Sequence, residues 1–147
     1  MLVDTREQNP LEFSHPYITE IVKTTLPVGD YSVQYADGFS PLIFFERKSI
    51  EDLFSTLTSG HERFKREIEK AKSLNIKLIL IIEGHLSKIL KGSSHSTVEG
   101  IKIFRILLSL WIKHNLSFVL CKDREECSQF ITEYFFAIGR LKGKKNK

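Results

Sequence analysis

The sequence predicts an α/β domain, a mixed sheet flanked by helices. Short β-branched segments crowd the first third, helical periodicity begins near residue 49, and two nearly continuous apolar runs, 76–82 and 116–120, lie either side of a helical stretch. The 147 residues suit one domain, and 41% hydrophobic with 27% charged residues is a globular composition. Residues 1–3 lead into Asp4-Thr5-Arg6-Glu7, a first strand emptying into a polar loop held open by Pro10 and Pro16. Segments 18–26, 31–35 and 42–46 alternate β-branched or aromatic residues with polar ones around Ala36-Asp37-Gly38, which predicts an antiparallel meander. From Ser49 the period changes: Ile50, Leu53, Phe54 and Leu57 share one helical face that Gly60 closes. A second helix, His61 to Ser73, buries Phe64, Ile68 and Ala71.

The runs 76–82 and 116–120 read as central strands covered on both faces, with 97–114 as the crossover between parallel neighbours. A last helix is expected from Asp123 to Leu141. Asp123 with Glu126 opens it as a capping box, and Phe130, Tyr134, Ile138 and Leu141 align at helical spacing. The domain is thus 1–141, followed by a basic flexible tail, 142–147. Cys121 and Cys127, too few for a disulfide framework, read as buried small hydrophobes in an intracellular protein. No stretch approaches the ~20 apolar residues of a membrane span.

The formal charge of +4 is local. The last eight residues hold five cations and no acid; setting those aside leaves 17 basic against 18 acidic residues, so residues 1–139 net to minus one. A nucleic-acid partner must therefore meet the tail, through Lys142, Lys144 and Lys145, or a local arrangement of charge and metal. The tail reads equally as a solvated end.

Chemistry concentrates in Gly29-Asp30-Tyr31 and Glu46-Arg47-Lys48, followed by Asp52. A hairpin turning near Asp37 and Gly38 sets Asp30 beside Glu46. Adjacent like charges repel, and a cation between them relieves the repulsion. Two carboxylates completed by water are a hard-oxygen site for Mg²⁺ or Mn²⁺. Lys48, two residues beyond Glu46, shares its strand face and is placed to orient water or neutralise charge. The pattern fits metal-dependent phosphodiester hydrolysis. Asp4 could serve a second ion, and Arg6 a phosphate oxygen. Several residues also carry structural readings. Gly29 supplies a turn, Asp52 stands three beyond Ser49 in a helix cap, and Arg6 can pair with Glu7. Arg47 faces the other side of the strand, where an ion pair with Glu51 or another acid is expected. The histidines at 61, 85, 95 and 114 lack metal-ligand spacing.

Val3-Asp4-Thr5-Arg6-Glu7, Leu26-Pro27-Val28-Gly29-Asp30-Tyr31 and Glu46-Arg47-Lys48-Ser49-Ile50-Glu51-Asp52 together resemble the nuclease domain of the XPF family, whose hallmark is Gly-Asp, a variable gap, Glu-Arg-Lys, three residues and Asp. The resemblance implies a restriction-endonuclease-like fold and a divalent-metal-dependent endonuclease acting on branched, forked or flapped DNA, in repair or recombination. It implies metal ligation by Asp30, Glu46 and the main-chain carbonyl of Arg47, and catalysis by Lys48. Residues 59–64 resemble the family's Gly-Arg-Phe region as Gly-His-Glu-Arg-Phe, with Glu67 where Gln is frequent; Arg63 and Arg66 are the expected DNA contacts there. The helix-hairpin-helix module common in cellular members does not follow in this sequence, as expected either of a fragment of a longer protein or of a compact phage- or bacterial-like member. The expected home is cytoplasm or nucleoid, or the nucleus of a eukaryotic host.

Nine of the twelve residues from Ile101 to Ile112 are apolar, and Lys102, Arg105 and Ser109 form one narrow stripe. Such a helix has more apolar surface than one sheet can cover, so a homodimer or heterodimer is expected through it and through Phe130–Leu141, with Phe135 and Phe136 in the contact. Two rival readings keep the fold and change the role. One is a non-catalytic dimerisation or DNA-docking partner, which would normally have lost an acid or the lysine, and the other is a site-specific restriction-type nuclease.

Overall fold

In the computed structural model, which describes residues 1–145 with side chains through residue 143, the chain runs β1 (Leu2–Asp4), β2 (Val22–Thr24), β3 (Tyr31–Ser32), β4 (Ile43–Ser49), α1 (Ile50–Leu57), α2 (His61–Ser73), β5 (Lys77–Glu83), α3 (Leu86–Lys91), α4 (Gly100–His114), β6 (Ser117–Cys121) and α5 (Arg124–Lys145). The strands form one mixed sheet of order β2-β1-β3-β4-β5-β6. β3 is antiparallel to β1 and β4, while β4, β5 and β6 are mutually parallel and β2 is parallel to β1.

Side-chain alternation divides the core between the two sheet faces. Leu78, Leu80 and Ile82 of β5 join Phe44 and the buried residues of α1, α2 and α4 on one face. Ile79 and Ile81 join Val3, Tyr31, Phe45 and, from α5, Cys127, Ile131 and Phe135 on the other. Double coverage explains the unbroken apolar run of β5.

α1 starts where the side chain of Ser49 accepts the N–H of Asp52 at 3.2 Å. Asp52 is exposed in the first turn, where its negative charge complements the helix dipole. At α5, Asp123 Oδ1 accepts the N–H of Glu126 and Glu126 Oε1 accepts that of Lys122, both at 2.9 Å, so the box closes one residue earlier than its standard form.

Four expectations are corrected. The early strands do not form a meander, because β1 inserts between β2 and β3 and takes β2 as a parallel partner. β6 is an edge strand, half-buried along most of its length, and not a central one. The buried face of α5 is Cys127, Ile131 and Phe135, which puts Phe135 in the core and removes it from the expected dimer contact. The backbone of α5 continues through Lys145, so residues 142–145 extend a helix where a loose tail was expected. Tyr35 contributes there, its hydroxyl donating to the carbonyl of Phe135 at 2.6 Å and its ring lying against Gly139.

Candidate active site

Antiparallel pairing of Tyr31 with Phe45 sets Asp30 opposite Glu46, and the approach depends on Gly29. Gly29 has φ +72°, and a Cβ there would stand 3.0 Å from the carbonyl oxygen of Phe45 and 3.3 Å from Cβ of Phe44. Only glycine meets both the left-handed backbone and the close packing. The chain beyond it is clamped from both sides: the N–H of Asp30 donates to Phe45 O at 2.7 Å, and its carbonyl accepts from the N–H of Asp4 at 2.8 Å. Asp30 Oδ2 then accepts the N–H of Arg47 at 2.8 Å.

Glu46 is 8% exposed, and its Oε1 lies 3.3 Å from Lys48 Nζ on the same strand face. Burial, then the charges of Asp30 and Glu67, push the Glu46 carboxyl far above the carboxylate range. Burial also raises Asp30, opposed by the Arg47 N–H and reinforced by Glu7. Burial is the largest cause at both acids, so each is driven toward its neutral form.

A third acid, not assigned from sequence, borders the pair. Glu67 comes from α2, accepts the N–H of Gly29 at 3.4 Å, and its charge helps to raise the Glu46 carboxyl. It stands between two clefts. One, of about 370 Å³, is lined by Asp4, Arg6, Asp30, Glu46, Arg66 and Lys70; the other, about 480 Å³, by Lys48, Ser59 and Arg63. Its only trace in the sequence was an acid where glutamine is frequent. A larger cavity of about 660 Å³ lies against α5, lined by Glu12, Arg124 and Glu133, and includes none of these groups.

Asp4 lines the first cleft but offers no free oxygen to a second ion. Its Oδ1 accepts Leu26 N–H at 2.9 Å and Arg6 Nη2 at 3.2 Å, and its Oδ2 accepts Arg6 Nε at 2.8 Å and Arg6 N–H at 3.2 Å. Burial opposes ionisation of Asp4, yet the guanidinium and the backbone donors hold its carboxyl below the usual value. Arg6 Nη2 also donates to Leu26 O at 2.9 Å, so Asp4 and Arg6 together fix the strand entering Gly29 while Arg6 stays 66% exposed toward solvent.

The side chain of Arg47 turns to the other face of the sheet, as the alternation predicts, and its partners are Glu7 at 3.0 Å and Glu83 at 2.6 Å, not Glu51. Glu7 also accepts the Tyr31 hydroxyl at 3.1 Å. Glu7 and Glu83, 76 positions apart in sequence, could not have been paired with Arg47 from spacing alone.

The expected DNA contacts divide. Arg63 and Arg66 are exposed on α2 beside the clefts. Lys142 is occupied elsewhere, pairing with Asp37 at 2.5 Å and lying 3.9 Å over the Phe39 ring. Lys144 and Lys145 lie outside the described side chains. No helix among the described residues is long and apolar enough to cross a membrane.

Comparison with known proteins agrees with this architecture. Residues 3–134 match the model of the ERCC4 domain. The chain is 33% identical over 119 residues, 78% of its length, to the DNA repair endonuclease UVH1 of Arabidopsis thaliana, and spans 12% of that protein. Its fold is similar to that of XPF from Aeropyrum pernix, with a TM-score of 0.65 and 16% identity, covering 99% of this chain and 68% of that one. Against the same protein in complex with DNA the TM-score is 0.63 at 19% identity, covering 98% of this chain and 64% of that one.

Proposed function

The chain belongs to the ERCC4 domain family, and from that premise we propose that it is a divalent-metal-dependent DNA endonuclease acting on branched, forked or flapped substrates. The observation that carries the reading is the buried pairing of Asp30 with Glu46, joined by Lys48 on the same face. Such a pair is electrostatically unfavourable by itself and favourable around a cation. Among the described residues no three His, Cys, Asp or Glu side chains gather as a metal cage. Mg²⁺ does not require one, since it commonly takes one or two carboxylates, water and substrate phosphate.

Asp30, Glu46 and the Arg47 carbonyl are the groups that would hold Mg²⁺ or Mn²⁺. A bound ion supplies charge neutralisation at the phosphoryl group and lowers the pKa of its water. The remaining work belongs to the chain. The Arg47 N–H fixes the rotation of the Asp30 carboxylate. Lys48 presents its ammonium beside Glu46, where it orients the attacking water or meets charge developing on the phosphate. Arg63, Arg66 and Lys70 bind flanking phosphates from the exposed side of α2. Retention of both acids and the lysine favours an enzyme over a non-catalytic docking partner. UVH1 carries the description of a DNA repair endonuclease, which supports branched DNA over a site-specific restriction substrate and an intracellular setting for this chain. Cleavage mapped on labelled linear, flap and fork DNA of matched sequence, in Mg²⁺, Mn²⁺ or EDTA, tests both points. Cutting that follows sequence and ignores branching would replace this reading with the restriction type.

We also propose assembly through α4 and the outer face of α5. Ile112 is 83% exposed, and Ile101, Leu108 and Trp111 of α4 accompany it, with Phe130 and Phe136 on α5. Sedimentation at micromolar concentration is expected to show a dimer that Ile112→Asp dissociates; a wild-type monomer throughout would remove this part.

A further inference from the structure

Lys102, Arg105 and Ser109 form the narrow polar stripe of α4, and the fold turns that stripe toward α2. There they line a groove of about 300 Å³ together with His61 and Lys65 of α2 and Lys113 and His114 of α4, and among the described residues none that lines it is acidic. Lys72 extends the cationic character, because its ammonium can only donate and therefore donates to His114 Nδ1, at 2.7 Å. Elsewhere on the domain, Arg6, Arg47, Lys48, Arg124 and Lys142 each have a carboxylate partner. Among the described residues, Lys65, Lys102, Arg105 and Lys113 have none within 4.0 Å, and all four are exposed.

Like charges held together in a concave surface raise the local potential and attract a polyanion. Four cations without a carboxylate partner share this groove, on the far side of the helix that borders the catalytic clefts. α2 is about 10 to 12 Å across with its side chains. Arg63, Arg66 and Lys70 flank Glu67 on one side of it, and His61 and Lys65 face the groove on the other. A DNA backbone crossing α2 can therefore meet both sets of cations.

We infer that the groove between α2 and α4 is a second phosphate-backbone site, which holds DNA away from the scissile bond through Lys65, Lys102, Arg105 and Lys113. This rests on the DNA-endonuclease reading above and extends it. The contacts are with phosphates, so the site contributes affinity and orientation without sequence preference.

The test is fluorescence anisotropy of labelled duplex and fork DNA in EDTA, where no cutting occurs, over a salt series. Wild type, Asp30→Asn and the combined Lys65→Glu, Lys102→Glu, Arg105→Glu variant are compared, with Lys65→Ala and Arg105→Ala as milder versions. The triple variant is expected to melt with the wild type, to bind roughly tenfold or more weakly near 0.1 M salt, and to show a salt slope smaller by about 2 to 3, with the single alanines lowering the slope by about 1. Unchanged affinity and slope in the folded variants would overturn the groove as a DNA site and leave the catalytic reading standing. A poly-glutamate peptide that binds wild type and not the triple variant, with DNA affinity retained, would assign the groove to an acidic protein partner instead. Asp30→Asn is expected to bind DNA as wild type does while failing to cut it, which keeps the two claims separate. A wild-type chain that binds no DNA at low salt would remove both.

Discussion

The main-chain N–H of Arg47 donates to Oδ2 of Asp30 at 2.8 Å, so the backbone one residue past Glu46 holds the carboxylate that faces Glu46. The two acids are therefore locked by the sheet as well as by their side-chain rotamers. The cost of bringing them together falls on the metal-free protein. That cost makes the site measurable without any substrate.

Asp30 and Glu46 both have folded pKa values raised above their unfolded ones, from 3.8 to about 6 and from 4.5 to about 9, with burial the largest cause in each. A raised carboxyl favours the folded state when protonated. Its contribution is fully present below the unfolded value and is lost as pH rises through the folded one. The metal-free protein should thus lose stability between about pH 4 and pH 9. Glu46→Gln should raise its melting temperature at pH 8 by about 3 to 6 °C, for a gain of about 1 to 2 kcal/mol. Mg²⁺ should stabilise the wild type more at pH 8 than at pH 5. Scanning calorimetry at the two pH values checks both; a metal effect that is larger at pH 5 would contradict the assignment.

Glu67 receives the Gly29 N–H, and its charge acts on Glu46, so it supports the proposed metal site from α2. Glu67→Ala is expected to weaken Mn²⁺ binding by about tenfold, read by titration calorimetry. Glu67→Gln, which keeps an acceptor for Gly29, should lose less. Equal affinity in all three proteins would detach Glu67 from the site.

Arg47 has its side chain 14% exposed and bridges Glu7 and Glu83 across the opposite sheet face. Arg47→Ala leaves Glu7 without its cation and Glu83 with only the longer contact to Arg124 at 4.0 Å, and denaturant unfolding should report a loss of about 3 kcal/mol. The main-chain groups of residue 47 are unchanged by this substitution, so metal binding by the remaining folded protein should persist.

Asp4→Ala removes the acceptor for the buried Leu26 N–H and the partner of Arg6. Destabilisation by about 1 to 3 kcal/mol is expected, with Mn²⁺ affinity near that of wild type. A large loss of metal affinity in a stable Asp4→Ala protein would restore Asp4 as a ligand.

Local signals made much of this legible. Period and the cap at Ser49 located α1, the period of Phe64, Ile68 and Ala71 located α2, and the unbroken apolar run marked β5 as doubly covered, whereas α1 closes at Thr58 and not at Gly60. The spacing of Asp30, Glu46 and Lys48 anticipated their shared face because a hairpin is a local object. What escaped depends on contacts distant in sequence. The insertion of β1 between β2 and β3 is set by which edges meet, and strand pattern alone does not encode it. Glu67 enters the site from a separate helix, and Glu83 meets Arg47 only because β5 pairs in register with β4. Aromatic residues surround α5, and period alone did not distinguish Phe135, inside, from Phe130, at the rim.

The central claim is that Asp30 and Glu46 together hold the cation that DNA cleavage requires. Titrating Mn²⁺ into wild type, Asp30→Asn and Glu46→Gln by calorimetry, with cleavage of labelled fork DNA followed on the same samples, tests it most directly. Metal binding and metal-dependent cutting by the wild type, and the loss of both in either folded variant, are the predicted results. Cutting at the wild-type rate by folded Asp30→Asn, or unchanged Mn²⁺ binding by both variants, would contradict it.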